Sequence, residues 1–356
     1  MSRVAVRPTV GRRSPRTATV VAHVTGDVGG QERATAELVR GLLARDYEVR
    51  LITGRSYLDR HPRLKVVRVP IPRRPVSIGF AIFYVVGTIL TALNRTDIVH
   101  SAGPIVGNRL DVVTVHFVNS HYQKYVGLKR RRKSNLLYGI NEVVASWLAR
   151  QAERWTYGRR RAAHVIAVSE GIRRELDQLF PETVGLTVLL PNGVDSERFR
   201  PDERVKDLVR TRLGLAGNSH VAVFVGGDWE RKGLQLAIEA LAMAQDWYLI
   251  IVGNGPEERY ARFAALASVQ GRAIFVGHQA RPQDFMAAAD AFLLPTAYEA
   301  FSLVILEAAA TALPLLVPRV NGAGEVPHAA INGWFMYRSP RNMCTVLTTT
   351  QLDPAL

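Results

Sequence analysis

Short apolar segments rich in Val, Ile and Leu alternate with helical patterns along most of the chain. In the first half the apolar segments predict buried strands, and the stretches between them carry the apolar spacing of helices. The predicted strands are at 19–25, 48–53, 64–69, 97–101, 111–117, 163–169 and 186–191. The predicted helices are at 31–44, 76–93 and 134–157. Strict alternation of strand and helix predicts a parallel sheet covered on both faces.

The same pattern restarts near residue 220. Strands are predicted at 221–226, 248–253, 273–277, 291–295 and 314–318, with helices near 233–244, 257–270, 282–289 and 301–312. We therefore predict an α/β protein of two doubly wound, Rossmann-like domains, residues 17–200 and 201–356, joined around 195–218. Ligands on such sheets bind beyond the carboxyl ends of the strands, so the cleft between the two domains is the expected site.

The composition fits a folded protein of this size. The chain has 356 residues, of which 47% are apolar and 22% are charged. The single cysteine, Cys344, excludes an internal disulfide, a thiolate zinc site and an iron–sulfur cluster. These features favour a cytoplasmic protein. Residues 1–16 are basic without the apolar core of a secretory signal, and we expect them to form a disordered arm.

The charge is distributed unevenly along the chain. The formal net charge is +15, yet residues 1–178 hold 31 basic and 13 acidic residues, against 15 and 18 in residues 179–356. The run Lys129–Lys133 lies in the basic half. Such a field attracts a nucleic acid or an anionic membrane surface, and charge alone does not separate them. Nucleic acid is the weaker hypothesis because no aromatic residues interleave this run, and a charge run is often only a solvated face.

The segment 76–93 is uncharged throughout and is flanked by Arg74 and Arg95. As a helix it would span about 27 Å, close to the minimum for crossing a bilayer. Gly and Thr residues dilute it, and strands are predicted on both sides. We therefore expect a helix that lies on a membrane surface or packs in a core rather than one that spans the membrane.

Two glutamates frame the segment YEAFSLVILEAAATALPLLVP at 298–318. Glu299 follows a predicted strand, and Glu307 lies in the predicted helix after it. Taken alone, they could be surface carboxylates in a first helical turn, where the helix dipole favours them. In this context the segment resembles the Glu-x7-Glu motif of retaining glycosyltransferases of family four, also described as group 1, which have the GT-B fold.

Further segments resemble the same family in the same order. They are VTGDVGGQERATAELVRGL (24–42), AVSEGIRRELDQLF (167–180), VLLPNGVDSERFRPD (188–202), FVGGDWERKGLQLAIEAL (224–241), IIVGNGPEE (250–258) and FVGHQ…MAAADAFLLPT (275–296). Each segment is weak evidence alone. Together they extend over about residues 18–340, which makes the joint resemblance specific.

The resemblance implies roles for individual residues of the second domain. Glu307 would hold the donor ribose hydroxyls, and Glu299 would lie beside the transferred sugar. Lys232 would stabilise the departing diphosphate, because fixed cations favour the charge that develops there. The family's commonest pattern has an Arg where this chain has Gly227. Arg231 is the candidate to supply that charge. Its adjacency to Lys232 leaves equal access open, so Lys232 is the stronger candidate.

Other candidates follow from the same resemblance with weaker support. Gly29 and Gly30 would let the backbone approach the donor closely, His116 would face the donor sugar, Asn254 would approach the nucleotide, and His278 would meet the base through its backbone. Asn119 and His121 are candidate acceptor contacts.

The sequence contains no Asp-x-Asp pair, the motif with which other glycosyltransferases hold a divalent ion. We expect a metal-independent site without a cofactor, in which the nucleoside diphosphate sugar is a substrate. The predicted function is retaining, hexosyltransferase-like transfer (EC 2.4) to an acceptor hydroxyl in polysaccharide, lipopolysaccharide or glycolipid synthesis. The alternative is a catalytically impaired GT-B-like protein that still binds nucleotide.

A membrane-linked acceptor suits the basic first half. We expect a peripheral protein at the inner face of the cell membrane, acting on a saccharide or lipid-linked acceptor, with no nucleic acid partner. The family resemblance also implies a closing C-terminal helix that packs back on the first domain. The chain reaches only LTTTQLDPAL (347–356), so we expect that helix to be missing.

Overall fold

The computed structural model describes residues 16–72, 74–122, 136–326 and 333–349. The Lys129–Lys133 run, nearly all of the basic arm and residues 350–356 lie outside these ranges. Predictions that concern those segments, the expected lack of a closing helix among them, stay predictions.

The first sheet has seven strands in the order β3-β2-β1-β4-β5-β6-β7. Its strands are β1 (Thr17–Thr25), β2 (Glu48–Ser56), β3 (Leu64–Arg68), β4 (Ile98–Ser101), β5 (Leu110–Val115), β6 (Ala162–Ala167) and β7 (Thr187–Leu189). Its helices are α1 (Gly30–Ala44), α2 (Val76–Leu93), α3 (Leu136–Thr156) and α4 (Glu170–Leu179). The pairings of β1 with β2 and β4, of β2 with β3, of β4 with β5 and of β6 with β7 are parallel.

The second sheet has six parallel strands in the order β10-β9-β8-β11-β12-β13. The strands are β8 (His220–Val225), β9 (Trp247–Val252), β10 (Ala273–Gly277), β11 (Ala291–Leu293), β12 (Leu315–Val317) and β13 (Gly333–Phe335). The helices of this part are α5 (Glu203–Arg212), α6 (Trp229–Lys232), α7 (Leu234–Met243), α8 (Glu257–Leu266), α9 (Pro282–Ala287), α10 (Leu303–Ala310) and α11 (Pro340–Thr349). A 3₁₀ turn at Asn321–Gly324 follows β12.

The central strands explain why the two sheets form. Val20, Val21, Ile250 and Ile251 are fully buried, as expected where helices cover both faces of a parallel sheet. Their uninterrupted apolar runs show no polar alternation because neither face meets water. The prediction of two Rossmann-like α/β domains with parallel sheets is confirmed.

By compactness the chain divides into two units. The first holds the described residues up to Val113 together with Trp147–Ala163, and the second holds Thr114–Ser146 and the residues from His164 onward. The predicted domain boundary at residue 200 stays a prediction.

The sequence pattern missed several elements, among them α5, β13 and α11. Helix α5 lies inside the stretch predicted as a linker. Its start has a clear signal, since the Asp202 carboxylate accepts a hydrogen bond from the Val205 amide at 3.1 Å. The other two elements are short or lie near the end of the described chain, where the apolar pattern is weak.

Helix α2 packs one face on the first unit's sheet and leaves the other exposed. Gly79, Phe83 and Gly87 are buried and α2 contacts β1 and β2, whereas Val85 and Ile89 are more than half exposed. By length and composition alone α2 could cross a membrane. Helices in protein cores have the same length and apolar composition. The face of α2 that packs on the sheet is also a feature of such core helices.

Candidate active site

Three of the sequence-predicted donor residues, Arg231, Lys232 and Glu299, lie where neighbouring strands of the second sheet end. Strands β9, β8 and β11 are adjacent, and each is followed by a loop at its carboxyl end. The chain order reverses between β8 and β11, which is the kind of position where open α/β sheets bind ligands. The candidate site is built from the loop after β8, the loop after β9 and the loop after β11.

The loop after β8 is folded into a single helical turn, α6. Asp228 and Gly233 flank the turn with positive φ angles of 47° and 81°. The buried Trp229 anchors it, since its indole Nε1 donates to the Gly226 carbonyl at 2.9 Å. Lys232 therefore ends this turn instead of starting the longer helix, as the sequence had suggested.

Glu299 is the centre of a buried charge cluster. Its Oε1 accepts a hydrogen bond from Arg231 Nη1 at 2.8 Å and lies 3.3 Å from Lys232 Nζ. The Thr296 hydroxyl donates to the same oxygen at 3.3 Å. The tight α6 turn brings both cations to one carboxylate oxygen. The access of Arg231 to a donor diphosphate stays a prediction.

The cluster keeps its charges although water is largely excluded. Burial by itself raises the pKa of Glu299, but the charges of Lys232 and Arg231 outweigh it and leave that pKa below its usual value. Burial likewise disfavours the charged form of Arg231, whereas Glu299 and Asp228 raise its pKa overall. The Glu299 carboxylate and the Arg231 guanidinium are therefore held ionised where electrostatic forces are little screened.

Two glycines make room for this arrangement. A Cβ on Gly226 would lie 2.7 Å from Lys232 Cε, and the φ of Gly226 is +138°. A Cβ on Gly253 would lie 2.3 Å from the Gly226 carbonyl oxygen, also at a positive φ. The loops after β8 and β9 thus pack backbone against backbone, and the Lys232 side chain crosses the face of Gly226.

Glu307 lies within α10 and is buried, as is Glu299. The interpretation of these two glutamates as surface carboxylates of a first helical turn is therefore wrong. A buried carboxylate inside an apolar helix has a cost unless it is paired, which is typical of a functional or a network residue.

The remaining candidates lie in several places. Gly29 and Gly30 are exposed in the first unit, where Gly29 caps α1. In the second unit, His116 is half-buried after β5, and Asn254 and His278 are exposed in the loops after β9 and β10. Their roles at a donor site stay predictions.

The sequence reasoning missed a second buried cluster beside the first. The Glu175 carboxylate, on α4, accepts hydrogen bonds from the Tyr298 hydroxyl at 3.1 Å and from the Asn321 amide, and lies 3.3 Å from His121 Nδ1. His121, expected to contact an acceptor, is thus engaged by a carboxylate. A usable signal was present, because Glu175 shares the buried face of α4 with Ile172 and Leu176.

Among the described residues, no group of three or more His, Cys, Asp or Glu side chains is placed to hold a metal ion. The expected independence of metal and cofactor stays a prediction.

Two family models match the chain. The model described as Glycosyltransferase Family 4 matches residues 28–198, and the model described as Glycosyl transferases group 1 matches residues 219–348. The second match contains the whole of the Glu299 cluster and Glu307.

Curated relatives are glycosyltransferases. The UDP-Gal:alpha-D-GlcNAc-diphosphoundecaprenol alpha-1,3-galactosyltransferase of Escherichia coli is 31% identical over 155 residues, which are 41% of this chain and 40% of that enzyme. The D-inositol 3-phosphate glycosyltransferase of Xylanimonas cellulosilytica is 26% identical over 369 residues, covering 91% of this chain and 85% of that enzyme. The first of these matches thus spans less than half of the relative's length.

Solved structures show the same fold. WaaG, a glycosyltransferase involved in lipopolysaccharide biosynthesis, superposes with a TM-score of 0.79 at 21% identity, over 95% of this chain and 92% of that chain. Alr3699/HepE of Anabaena in complex with UDP and glucose superposes with a TM-score of 0.70 at 18% identity, over 95% and 91%. At this level of identity the likeness establishes the two-domain GT-B fold.

Proposed function

We propose that this chain, which belongs to the family 4 glycosyltransferases of group 1, transfers a sugar from a nucleoside diphosphate donor to an acceptor hydroxyl with retention of configuration. The observation that carries the proposal is the buried cluster of Glu299, Arg231 and Lys232, at the carboxyl edge of the second sheet and inside the family match. Family membership makes the chain a glycosyltransferase, and the finer roles below are proposals.

The chemistry of donor cleavage explains why such a cluster is useful. The bond between the anomeric carbon and the diphosphate oxygen breaks, and its electron pair stays on the diphosphate. Lys232 and Arg231 are the cations that stabilise this growing negative charge in a site where screening is weak. Glu299 holds both cations in place, and we assign it a position beside the transferred sugar. Glu307 holds the donor ribose hydroxyls.

The choice of donor and acceptor class is supported by the relatives. The E. coli relative is named for a UDP-galactose donor and a diphosphoundecaprenol acceptor, and the Anabaena structure contains UDP and glucose. We propose a uridine or other nucleoside diphosphate sugar as the donor here, and a saccharide or lipid-linked saccharide as the acceptor.

Donor hydrolysis by the purified chain tests this function directly. A panel of nucleotide sugars is incubated without acceptor, and release of nucleoside diphosphate is measured. We expect slow hydrolysis of one donor. Replacing Lys232 with Ala chiefly lowers turnover, because its charge matters most as the diphosphate leaves. Glu307→Ala weakens donor binding by about 1.5–3 kcal/mol, because hydroxyls lose a charged acceptor.

A matched control is Lys206→Ala, since Lys206 lies on α5 and pairs with Asp290 instead of Glu299. It removes the same charge and leaves donor hydrolysis unchanged. Unaltered kinetics in both Lys232→Ala and Glu307→Ala would contradict the assignment. Donor binding without turnover in the native chain would favour the alternative of a nucleotide-binding protein that has lost catalysis.

The membrane-facing part of the proposal rests on the first unit. Helix α2 exposes Ile78, Val85 and Ile89 on one face, and Arg74 and Arg95 lie beyond its two ends. An apolar helix face framed by cations matches the surface of a bilayer with anionic lipids. We propose that the protein is peripheral at the inner face of the cell membrane.

Binding to lipid vesicles tests the proposed membrane association. The chain binds vesicles of anionic lipid, and raised salt releases it because screening shortens the reach of the field. Val85→Ser with Ile89→Ser weakens the binding without changing donor hydrolysis, and Leu208→Ser, at an exposed position of α5, is the matched control. Equal binding to neutral and anionic vesicles contradicts the electrostatic part, and preferential binding to DNA contradicts the choice of partner.

A further inference from the structure

The loop that carries Glu299 is held from outside the charge cluster. Glu175 is 4% exposed, and its carboxylate reaches one residue on each of two segments that fix the Glu299 backbone. These are Tyr298, which directly precedes Glu299, and Asn321, which begins the 3₁₀ turn after β12. The contacts join parts of the chain that are 123 and 146 residues apart in sequence.

Tyr298 links Glu175 to the charge cluster through its backbone. The Tyr298 carbonyl accepts a hydrogen bond from Arg231 Nη1, the same nitrogen that donates to Glu299. Its ring packs edge-on against Tyr122 with the centroids 5.6 Å apart. Burial and the charge of Glu175 raise the pKa of Tyr298, so the hydroxyl remains protonated as a donor to that carboxylate.

Asn321 forms the second link. The next residue, Gly322, donates its amide to the Glu299 carbonyl at 3.0 Å. A Cβ on Gly322 would lie 2.1 Å from the Ala300 carbonyl oxygen, so the turn sits directly against the Glu299 loop. Asn321 has a φ of 41°, which asparagine tolerates better than most residues, and its side chain is free to turn towards Glu175 in this conformation.

A further contact ties the same turn to α4. The Glu325 carboxylate accepts hydrogen bonds from the Glu170 and Gly171 amides at 2.9 and 2.8 Å, at the first turn of the helix. Helix α4 is therefore joined to the segment after β12 both at its start and, through Glu175, one turn later. The position of Glu175 is fixed independently of its bonds to Tyr298 and Asn321.

We propose that Glu175 is a positioning residue for the transfer reaction: through Tyr298 and Asn321 it fixes the backbone on both sides of Glu299. The inference rests on the proposed function for its catalytic consequence. A displacement of about 1 Å in such a site costs on the order of 100-fold in rate, because the cations and Glu299 act on charge that develops only in the transition state. Glu307, which we propose holds the donor ribose, lies on α10 outside this loop, so we expect donor binding to change less than turnover.

The prediction is a split between turnover and binding. Glu175→Ala lowers kcat for donor hydrolysis by about 10- to 100-fold and changes the donor KM by less than about threefold. Glu175→Gln restores most of the rate, since its amide oxygen accepts from Asn321 and its amide nitrogen donates to the Tyr298 oxygen. Glu170→Ala removes an exposed carboxylate from the same helix and is the matched control, with kcat unchanged.

Two milder variants keep the test decisive if Glu175→Ala does not fold. Tyr298→Phe deletes one of the two links, and Asn321→Gly deletes the other while keeping the left-handed backbone. Each lowers kcat, and combining Tyr298→Phe with Asn321→Gly lowers kcat about as much as loss of the Glu175 carboxylate, because both links are then removed. Full kcat in these variants alongside a lowered melting temperature would overturn the inference, because the cluster would then stabilise the fold alone.

Hydrogen exchange separates this inference from the proposed function. Backbone amides of residues 297–301 exchange faster in Tyr298→Phe and Asn321→Gly than in the native chain, whatever reaction the protein catalyses. If no donor is hydrolysed by the native chain, the proposed function fails and the exchange still tests the inference. Unchanged exchange in both variants, with an active native enzyme, overturns the inference alone.

Discussion

A pair of histidines in the first compact unit and a charge cluster in the second depend on ionisation in opposite ways. In the first, His23 and His100 lie on central strands, and burial lowers the pKa of each to about 4, so both are neutral at pH 7. In the second, Glu299 is buried as a charged group together with Arg231 and Lys232. A buried neutral base lowers the stability of the fold only when it is protonated at low pH. A buried ion lowers the stability whenever its oppositely charged partner is removed.

The largest effect is expected where a buried cation of the second unit loses its charge. Arg210 is 4% exposed, forms two 2.7 Å hydrogen bonds to Asp290, and also donates to the carbonyls of Gly217, Ser219 and Ala288. Arg210→Met leaves these acceptors unpaired and lowers the free energy of unfolding by about 3–5 kcal/mol. Denaturant titration of the variant and the native chain measures this change in the free energy of unfolding.

The matched control is Arg198→Met, which removes the same group from an exposed position of the same unit. That change alters the free energy of unfolding by about 0.5 kcal/mol or less. Equal destabilisation by the two variants would contradict the distinction between buried and exposed cations.

An intermediate effect is expected from acid in the first unit. The unfolded chain protonates His23 and His100 below about pH 6.5, whereas the folded protein does so only near pH 4. Stability is therefore complete above pH 6.5 and is lost as the pH falls towards 4. At pH 5 the loss is about 2 kcal/mol for each histidine.

His23→Asn removes one of these titrations, so the difference in unfolding free energy between pH 7.5 and pH 5 shrinks by about 2 kcal/mol. His278→Asn, at an exposed position, is the control and leaves that difference unchanged. Because the pKa of Glu299 is lowered, acid inactivation above pH 5 follows unfolding of the first unit and not neutralisation of Glu299. Activity and circular dichroism recorded at the same pH values would show whether loss of activity coincides with unfolding.

The contrast also shows how far the sequence alone could lead. The alternation of apolar runs predicted both sheets, because a strand that is buried on two faces is a continuous apolar segment and can be recognised in the sequence. The Glu299 and Lys232 candidates were found through a local motif. Glu175 was not, because its partners Tyr298 and Asn321 lie 123 and 146 residues away and only the folded chain brings them together.

The convergence of Arg231 and Lys232 on Glu299 could not be predicted for a related reason. Adjacent side chains diverge on an ordinary helix, and no local pattern indicates that α6 is one turn long between two residues of positive φ. The helix after residue 202, in contrast, had a readable start in Asp202 and was missed because the stretch was treated as a linker. The convergence depends on tertiary geometry, whereas the missed helix reflects an overlooked capping signal.

The smallest effect on stability, but one specific for activity, is expected at the glycine beneath Lys232. A methyl group on Gly226 would lie 2.7 Å from Lys232 Cε, and the φ of +138° is unfavourable for alanine. The obstructing atoms are the end of a flexible side chain, so Gly226→Ala costs about 1–2 kcal/mol of stability and displaces the ammonium group from Glu299. Donor hydrolysis then falls about 10-fold, because the cation no longer faces the departing diphosphate.

Gly227→Ala is the matched control, since a methyl group there meets the Asn254 carbonyl at an ordinary 3.6 Å. Equal turnover in the two variants would show that the exact path of the Lys232 side chain does not matter. It would also weaken the contrast between a charge cluster that needs precise placement and a histidine pair that needs only to stay neutral.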